Sequence, residues 1–251
     1  MSSEEKSIQL IKSGNPFVDK SWGGFYEGGT YLIIGPPHSG KTILALQFAL
    51  QAREGADKSL YISTSKLNDV IINSSAINID LQQNIDDGLC TLTKISLREA
   101  SEQKSESRSN VINYFNDLRN LLTSFTPSRV VIDELSPFLS LKYSKLFYEL
   151  FLDTKSYLQD RGITILYLIR KTKIPELEIL NSSLQDLSTA NIFLKSKTSP
   201  VNKINPGTME IVSNMGYYQG KFSCKYFVEV GKGLEIEFHQ TTKSENNFID
   251  N

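Results

Sequence analysis

Two short stretches carry side chains that together could hold a triphosphate. Residues 35–42 read Gly-Pro-Pro-His-Ser-Gly-Lys-Thr, directly after the apolar run Thr30-Tyr-Leu-Ile-Ile34. Gly35 and Gly40 are spaced to wrap backbone N–H groups around phosphate oxygens, with Pro36, Pro37, His38 and Ser39 completing the loop between them. Lys41 would place a cation between the outer two phosphates, and the Thr42 hydroxyl would reach Mg2+. The following segment, Ile43 to Ala52, has a helical pattern whose N-terminus would aim unpaired N–H groups and partial positive charge at the anion. The second stretch is Val130-Val-Ile132, which ends in Asp133 and Glu134. A carboxylate that closes an apolar strand beside such a loop completes a magnesium shell, and Asp133 is placed for it. A strand before the loop and a helix after it are the context that this reading needs. A mere surface turn at a helix start would not explain two glycines, a lysine and a threonine together. His38 stands at a variable position of the loop and reads as a solvated side chain.

The chain has 251 residues, with 27 Lys and Arg against 28 Asp and Glu, for a formal net charge of −1. That length suits one sizeable α/β domain. Balanced charge removes the electrostatic footprint of a dedicated nucleic-acid binder. The longest basic cluster, Arg170-Lys171-Thr172-Lys173, reads as a solvated loop or a phosphate-sensing element. Cys90 and Cys224 form no metal-type motif, and their isolation suits a reducing cytoplasm. The start, Met-Ser-Ser-Glu-Glu-Lys, has no secretory pattern, and no apolar run is long enough to span a bilayer. The expected location is cytoplasmic, with no direct membrane insertion.

Periodicity supplies the scaffold. Residues 1–13 read as a polar arm, and residues 14–29 as turn-rich with apolar anchors at Phe17, Trp22, Phe25 and Tyr26. Strands are expected at 30–35, 58–64, 88–95, 129–133 and 163–169, with helices at 41–54, 67–76, 111–125 and 143–159. The continuous apolar run Ile163 to Ile169 marks a parallel strand covered on both faces. Strands alternating with helices imply right-handed crossovers and a mostly parallel twisted sheet flanked by helices. Residues 99–110 are polar and of low complexity, which predicts a mobile loop. Beyond residue 188, short strands near 191–194, 209–212, 225–229 and 234–238, with turns at Pro206-Gly207 and Gly231-Lys-Gly233, predict antiparallel edge strands. Residues 1–239 are expected to form one nucleotide-binding domain, with a disordered tail at 240–251.

Three stretches give the chain its resemblance to the KaiC-like branch of the RecA superfamily. They are Gly14-Asn-Pro-Phe-Val-Asp19 with Gly23-Gly24 and Gly28-Gly29, the phosphate loop with Ala45-Leu-Gln-Phe48, and Leu60-Tyr-Ile-Ser-Thr64. Val130-Val-Ile-Asp133, the strand at 163–169 and the closing Met209-Glu-Ile-Val, Tyr226-Phe-Val-Glu-Val and Gly233-Leu-Glu-Ile also run parallel to that family. The resemblance covers nearly the whole chain as a single copy. It implies a RecA-like core, ATP binding, and often hexameric rings with ATP between subunits.

The departures from the pattern are as informative. Relatives that hydrolyse ATP usually carry a Glu-Glu pair after the strand that here ends at Thr64, and this chain has Ser65-Lys66. Many relatives also carry Lys-x-Arg-Gly in a late strand that reaches a neighbour's γ-phosphate, where this chain reads Ser213-Asn214-Met215-Gly216. Losing a general base costs on the order of 10²–10⁴ in rate, and losing an arginine-finger cation on the order of 10³–10⁵. Two substitutes are conceivable. Glu134 stands where other phosphate-loop ATPases hold a catalytic glutamate, or it simply caps the strand, since side chains alternate and it need not face the site. Arg170 senses the γ-phosphate or forms a surface ion pair of little energetic consequence. Three functions remain to be separated. They are an ATP- and Mg2+-binding regulatory or assembly factor with weak or absent hydrolysis, an active ATPase using Glu134, and a RecA-type DNA-handling ATPase. The first implies a protein partner or a homo-oligomer.

Overall fold

The computed structural model describes residues 9–51, 57–75, 77–95, 108–139, 142–196, 207–214, 219–229 and 231–237. It opens with a two-residue strand β1 (Leu10–Ile11), helix α1 (Pro16–Trp22) and strand β2 (Phe25–Tyr26), which pairs with β1. Helix α1 falls inside the stretch read as turns. Its signals are local: the Asn15 side chain caps the N–H groups of Phe17 and Val18, Pro16 sits at the first turn, and Gly23 closes the helix in a left-handed conformation. Phe17, Trp22 and Phe25 are buried anchors, as expected.

The chain then alternates. Strand β3 (Thr30–Gly35) leads into α2 (Lys41–Ala49), and β4 (Ser59–Ser63) is followed by α3 (Leu67–Ser75), α4 (Leu81–Asp86) and β5 (Cys90–Lys94). Next come α5 (Arg108–Phe125), β6 (Arg129–Asp133), a short 3-10 turn at Ser136–Phe138, and α6 (Ser144–Asp160). Strand β7 (Thr164–Arg170), α7 (Pro175–Leu187), β8 (Ala190–Ser196), β9 (Gly207–Ser213), β10 (Lys221–Glu229) and β11 (Gly233–Glu237) complete it. Residues 108–110, expected in a mobile loop, are helical, because Val111, Tyr114, Phe115, Leu118 and Leu122 bury one face of α5. The rest of that loop (99–107), residues 52–54 and 76 of the expected helices, residue 206, residues 215–216 and 240–251 lie outside the described residues. Helices α4 and α7 were absent from the expectation, although Asp80 caps α4, and Pro175, Glu176 and Glu178 are ordinary helix-start residues for α7.

Nine strands form one sheet in the order β11-β10-β9-β8-β3-β7-β6-β4-β5. From β8 to β5 all pairings are parallel, and from β8 outward to β11 they are antiparallel. Strand β8, grouped by its sequence with the antiparallel strands, therefore belongs to both halves: it runs parallel to β3 and antiparallel to β9. The inner strands are buried along nearly their whole length, as a sheet covered on both faces requires. One core packs α1, α2 and residues of α3 and α4 on one face, and a second packs α5, α6 and α7 on the other. This is the layered arrangement of a RecA-like α/β fold. Its consequence is positional: the carboxyl ends of β3, β4, β6 and β7 all open on the same side.

Candidate functional site

The chain turns from β3 into α2 through residues 36–40, and two glycines make that turn possible. A Cβ at Gly35 would lie 2.6 Å from Ser39 Oγ and 2.9 Å from the Leu194 carbonyl oxygen. Gly40 has φ of +92°, and a Cβ there would meet Leu234 at 3.2 Å and Val228 at 3.4 Å. The C-terminal hairpin therefore supports the loop from behind. Tyr226 also donates its hydroxyl to the Ser39 carbonyl oxygen at 2.8 Å. Helix α2 begins without a side-chain cap and without an acidic residue in its first turn. Its leading N–H groups and its dipole are left for an anion.

Lys41 is buried, and its ammonium donates to the carbonyl oxygens of Gly35 and Pro36, both at 3.0 Å. Burial pulls its pKa below the ordinary lysine value, while the negative charges of Glu134 and Asp133 work in the opposite direction. Asp133 shows the mirror effect. Burial raises its pKa, and hydrogen bonds from Tyr61 and Thr42 oppose the rise. The Tyr61 hydroxyl lies 2.6 Å from Asp133 Oδ2. A cation and a carboxylate that are both penalised by desolvation are suited to a highly charged ligand brought in with its own counter-ion.

These groups share one cavity of about 820 Å³, lined by Pro37, His38, Lys41, Thr42, Thr64, Ser65, Asp69, Val70, Asn73, Asp133, Glu134, Ser136, Pro137 and Arg170. The tips of β4, β6 and β7 thus meet the phosphate loop. Asp133 and Glu134 are joined by a cis peptide, and both line the cavity. Glu134 Oε1 accepts from Ser136 Oγ at 2.5 Å, and its other oxygen lies 3.5 Å from Arg170 Nη2. Ser136 Oγ in turn accepts the Arg170 backbone N–H at 2.8 Å. Arg170 is 60% exposed. Ser65 is exposed at the rim, and Lys66, exposed as well, is not among the lining residues.

The residues present fit a nucleotide with magnesium. The loop has a buried ammonium, a glycine cradle that a Cβ would obstruct, and a buried Ser39 hydroxyl without a hydrogen-bond partner among the described residues. Among the described residues no three His, Cys, Asp or Glu side chains converge into an all-protein metal cage. Mg2+ does not need one, since it commonly takes one or two protein ligands with substrate phosphates. Thr42 and Asp133 are the residues that could serve. The sequence reading did not include Tyr61, Asp69 or Ser136. Tyr61 was hidden inside an apolar run, and its signal was the period-two spacing to the strand end.

A RecA-like sheet with a phosphate loop at its mouth defines a phosphate-loop ATPase. The family model "ATPase: KaiC" matches residues 11–212, and the chain belongs to that family. It is 27% identical over 165 residues to the circadian clock protein KaiC2 of Synechocystis, a match covering 63% of this chain and 27% of that protein. The chain thus spans about a quarter of that relative's length. It is 22% identical over 228 residues to the archaeal flagellar ATP-binding protein FlaH of Sulfolobus acidocaldarius, covering 90% of this chain and 96% of that one. The crystal structure of a KaiC-like protein from Pyrococcus horikoshii superposes with a TM-score of 0.66 at 18% identity, covering 92% of this chain and 99% of the other. No helix among the described residues is long and apolar enough to cross a membrane.

Proposed function

We propose that this chain is an ATP-dependent regulatory or assembly factor that holds Mg-ATP and hydrolyses it slowly or not at all. Backbone N–H groups of residues 38–42 would cradle the phosphates in the loop that begins at Gly35, Lys41 would neutralise the outer two, and Thr42 and Asp133 would hold Mg2+. When bound, Mg2+ would supply charge neutralisation at the phosphate oxygens. One observation carries the reading. The cavity gathers every group needed to grip a triphosphate, but the end of β4 presents Ser65, and the nearby Glu134 carboxylate is engaged by Ser136 and Arg170. A carboxylate held by a guanidinium and a hydroxyl is not free to turn toward an attacking water. Occupancy alone can act as a switch, because a ligand stabilises whichever conformation it binds best. The near full-length match to a flagellar ATP-binding protein supports a role inside a larger protein assembly, with a homo-oligomer or a protein partner.

The test is calorimetry with Mg-ATP beside single-turnover hydrolysis, for the wild type and for Lys41→Ala. Stoichiometric binding is expected, lost by on the order of 10²-fold in the variant, with turnover slower than about 10⁻² per second. Turnover of several per second that disappears in Lys41→Ala would reject the proposal. A second reading, an active ATPase with Glu134 as base, is favoured by the fact that Glu134 does line the cavity.

A further inference from the structure

We infer that Tyr61 is a positioning residue for the magnesium ion: its hydroxyl holds the Asp133 carboxylate in the orientation in which it takes the metal. This deepens the reading of Asp133 given above and rests on it.

The strand register makes the contact possible. Tyr61 pairs with Val131 and Ser63 with Asp133, so Tyr61 and Asp133 lie on the same face of neighbouring parallel strands, one pleat apart. Two residues of strand span about 6.6 Å, a distance that a tyrosine side chain can bridge. Ser63, directly opposite Asp133, instead accepts the Ser65 N–H on its hydroxyl at 3.0 Å. Tyr61 is completely buried in the core under α2, where phenylalanine would fill the same space. Burying a phenol without a partner costs stability, so the hydroxyl has a reason to be there. Its hydrogen bond to Asp133 is 2.6 Å long, in the range of a charge-assisted O–H···O⁻ contact. Thr42 approaches the same carboxylate from α2. Asp133 is thus held from two sides, by the strand next to it and by the helix after the phosphate loop. A carboxylate free to rotate would have to be ordered each time the metal arrives. Outer partners of ligating carboxylates typically change metal affinity 10- to 100-fold.

The experiment compares nucleotide affinity with Mg2+ and with EDTA, for the wild type and for Tyr61→Phe. In the variant, affinity in EDTA stays within about twofold of wild type, while the Mg2+-dependent gain shrinks on the order of 10-fold or more. A general packing defect would weaken both. In an Asp133→Asn background, Tyr61→Phe then has no further effect on the Mg2+ gain. An unchanged Mg2+ gain in Tyr61→Phe overturns the inference and leaves the Mg-ATP reading intact. A wild type with no Mg2+ gain overturns both. Should Tyr61→Phe not fold, proton NMR of the wild type decides. A downfield hydroxyl resonance must move when Mg2+ is added to nucleotide-saturated protein, and its failure to move rejects the inference.

Discussion

The cavity has two unlike sides. On the phosphate-loop side three groups are bonded and backed by rigid elements: Lys41 by loop carbonyls, Asp133 by Tyr61 and Thr42, and the Ser39 carbonyl by Tyr226. On the rim formed after β4, Ser65 and Lys66 are exposed, and the carboxylate at the tip of β6 is tied to its neighbours. Binding depends on charge that is already in place, while hydrolysis also needs a free base at one exact point. A protein can therefore lose the second capacity and keep the first.

The comparison is tested most severely by restoring what the rim lacks. Ser65→Glu is expected to raise single-turnover hydrolysis on the order of 10²-fold, with ATP affinity little changed. No gain would mean that Ser65 is not where the attacking water stands. On the other side, Gly40→Ala should destabilise the chain by about 1–2 kcal/mol, because a Cβ is disfavoured at that φ. It should also weaken ATP binding, and both effects are read by thermal melts with and without nucleotide. Glu134→Gln is expected to change hydrolysis less than about tenfold, below the worth of a working general base. A larger fall would transfer the base to Glu134 and break the contrast.

The smallest effect lies outside the cavity. Glu210 on β9 sits 2.5 Å from both Lys195 and Lys221. Hydrogen bonds from these two lysines hold its pKa below the usual glutamate value of 4.5. The folded state therefore favours the ionised form. The resulting stability is present above the unfolded pKa and is lost as pH falls through the lowered one. Because both lysines are exposed, Glu210→Gln should cost no more than about 1 kcal/mol at neutral pH. That cost should vanish in acid, with ATP affinity unchanged throughout, as denaturant titrations at several pH values would show.

Much of this was legible along the chain. The loop at 35–42 and the strand ending at Asp133 are local patterns, and the inner strands stand out because burial on both faces leaves them almost wholly apolar. Helices α1 and α7 were missed even though start signals were visible, the Asn15 cap for α1 and Pro175 with an acidic first turn for α7, because such single residues are weak signals beside a missing hydrophobic period. Strand β8 was placed with its successors because a short strand does not reveal its pairing partner.

Composition and spacing alone determined that a phosphate loop, an ammonium group and a strand-end carboxylate exist in this chain, since each depends on neighbours a few residues away. Only the tertiary structure decided which groups meet. The Tyr61 hydroxyl reaches Asp133 across 72 positions, Tyr226 reaches Ser39 across 187, and Arg170 closes on Glu134, because sheet order and register bring distant segments side by side. Such contacts depend on pairing between strands, and no window of sequence contains that pairing.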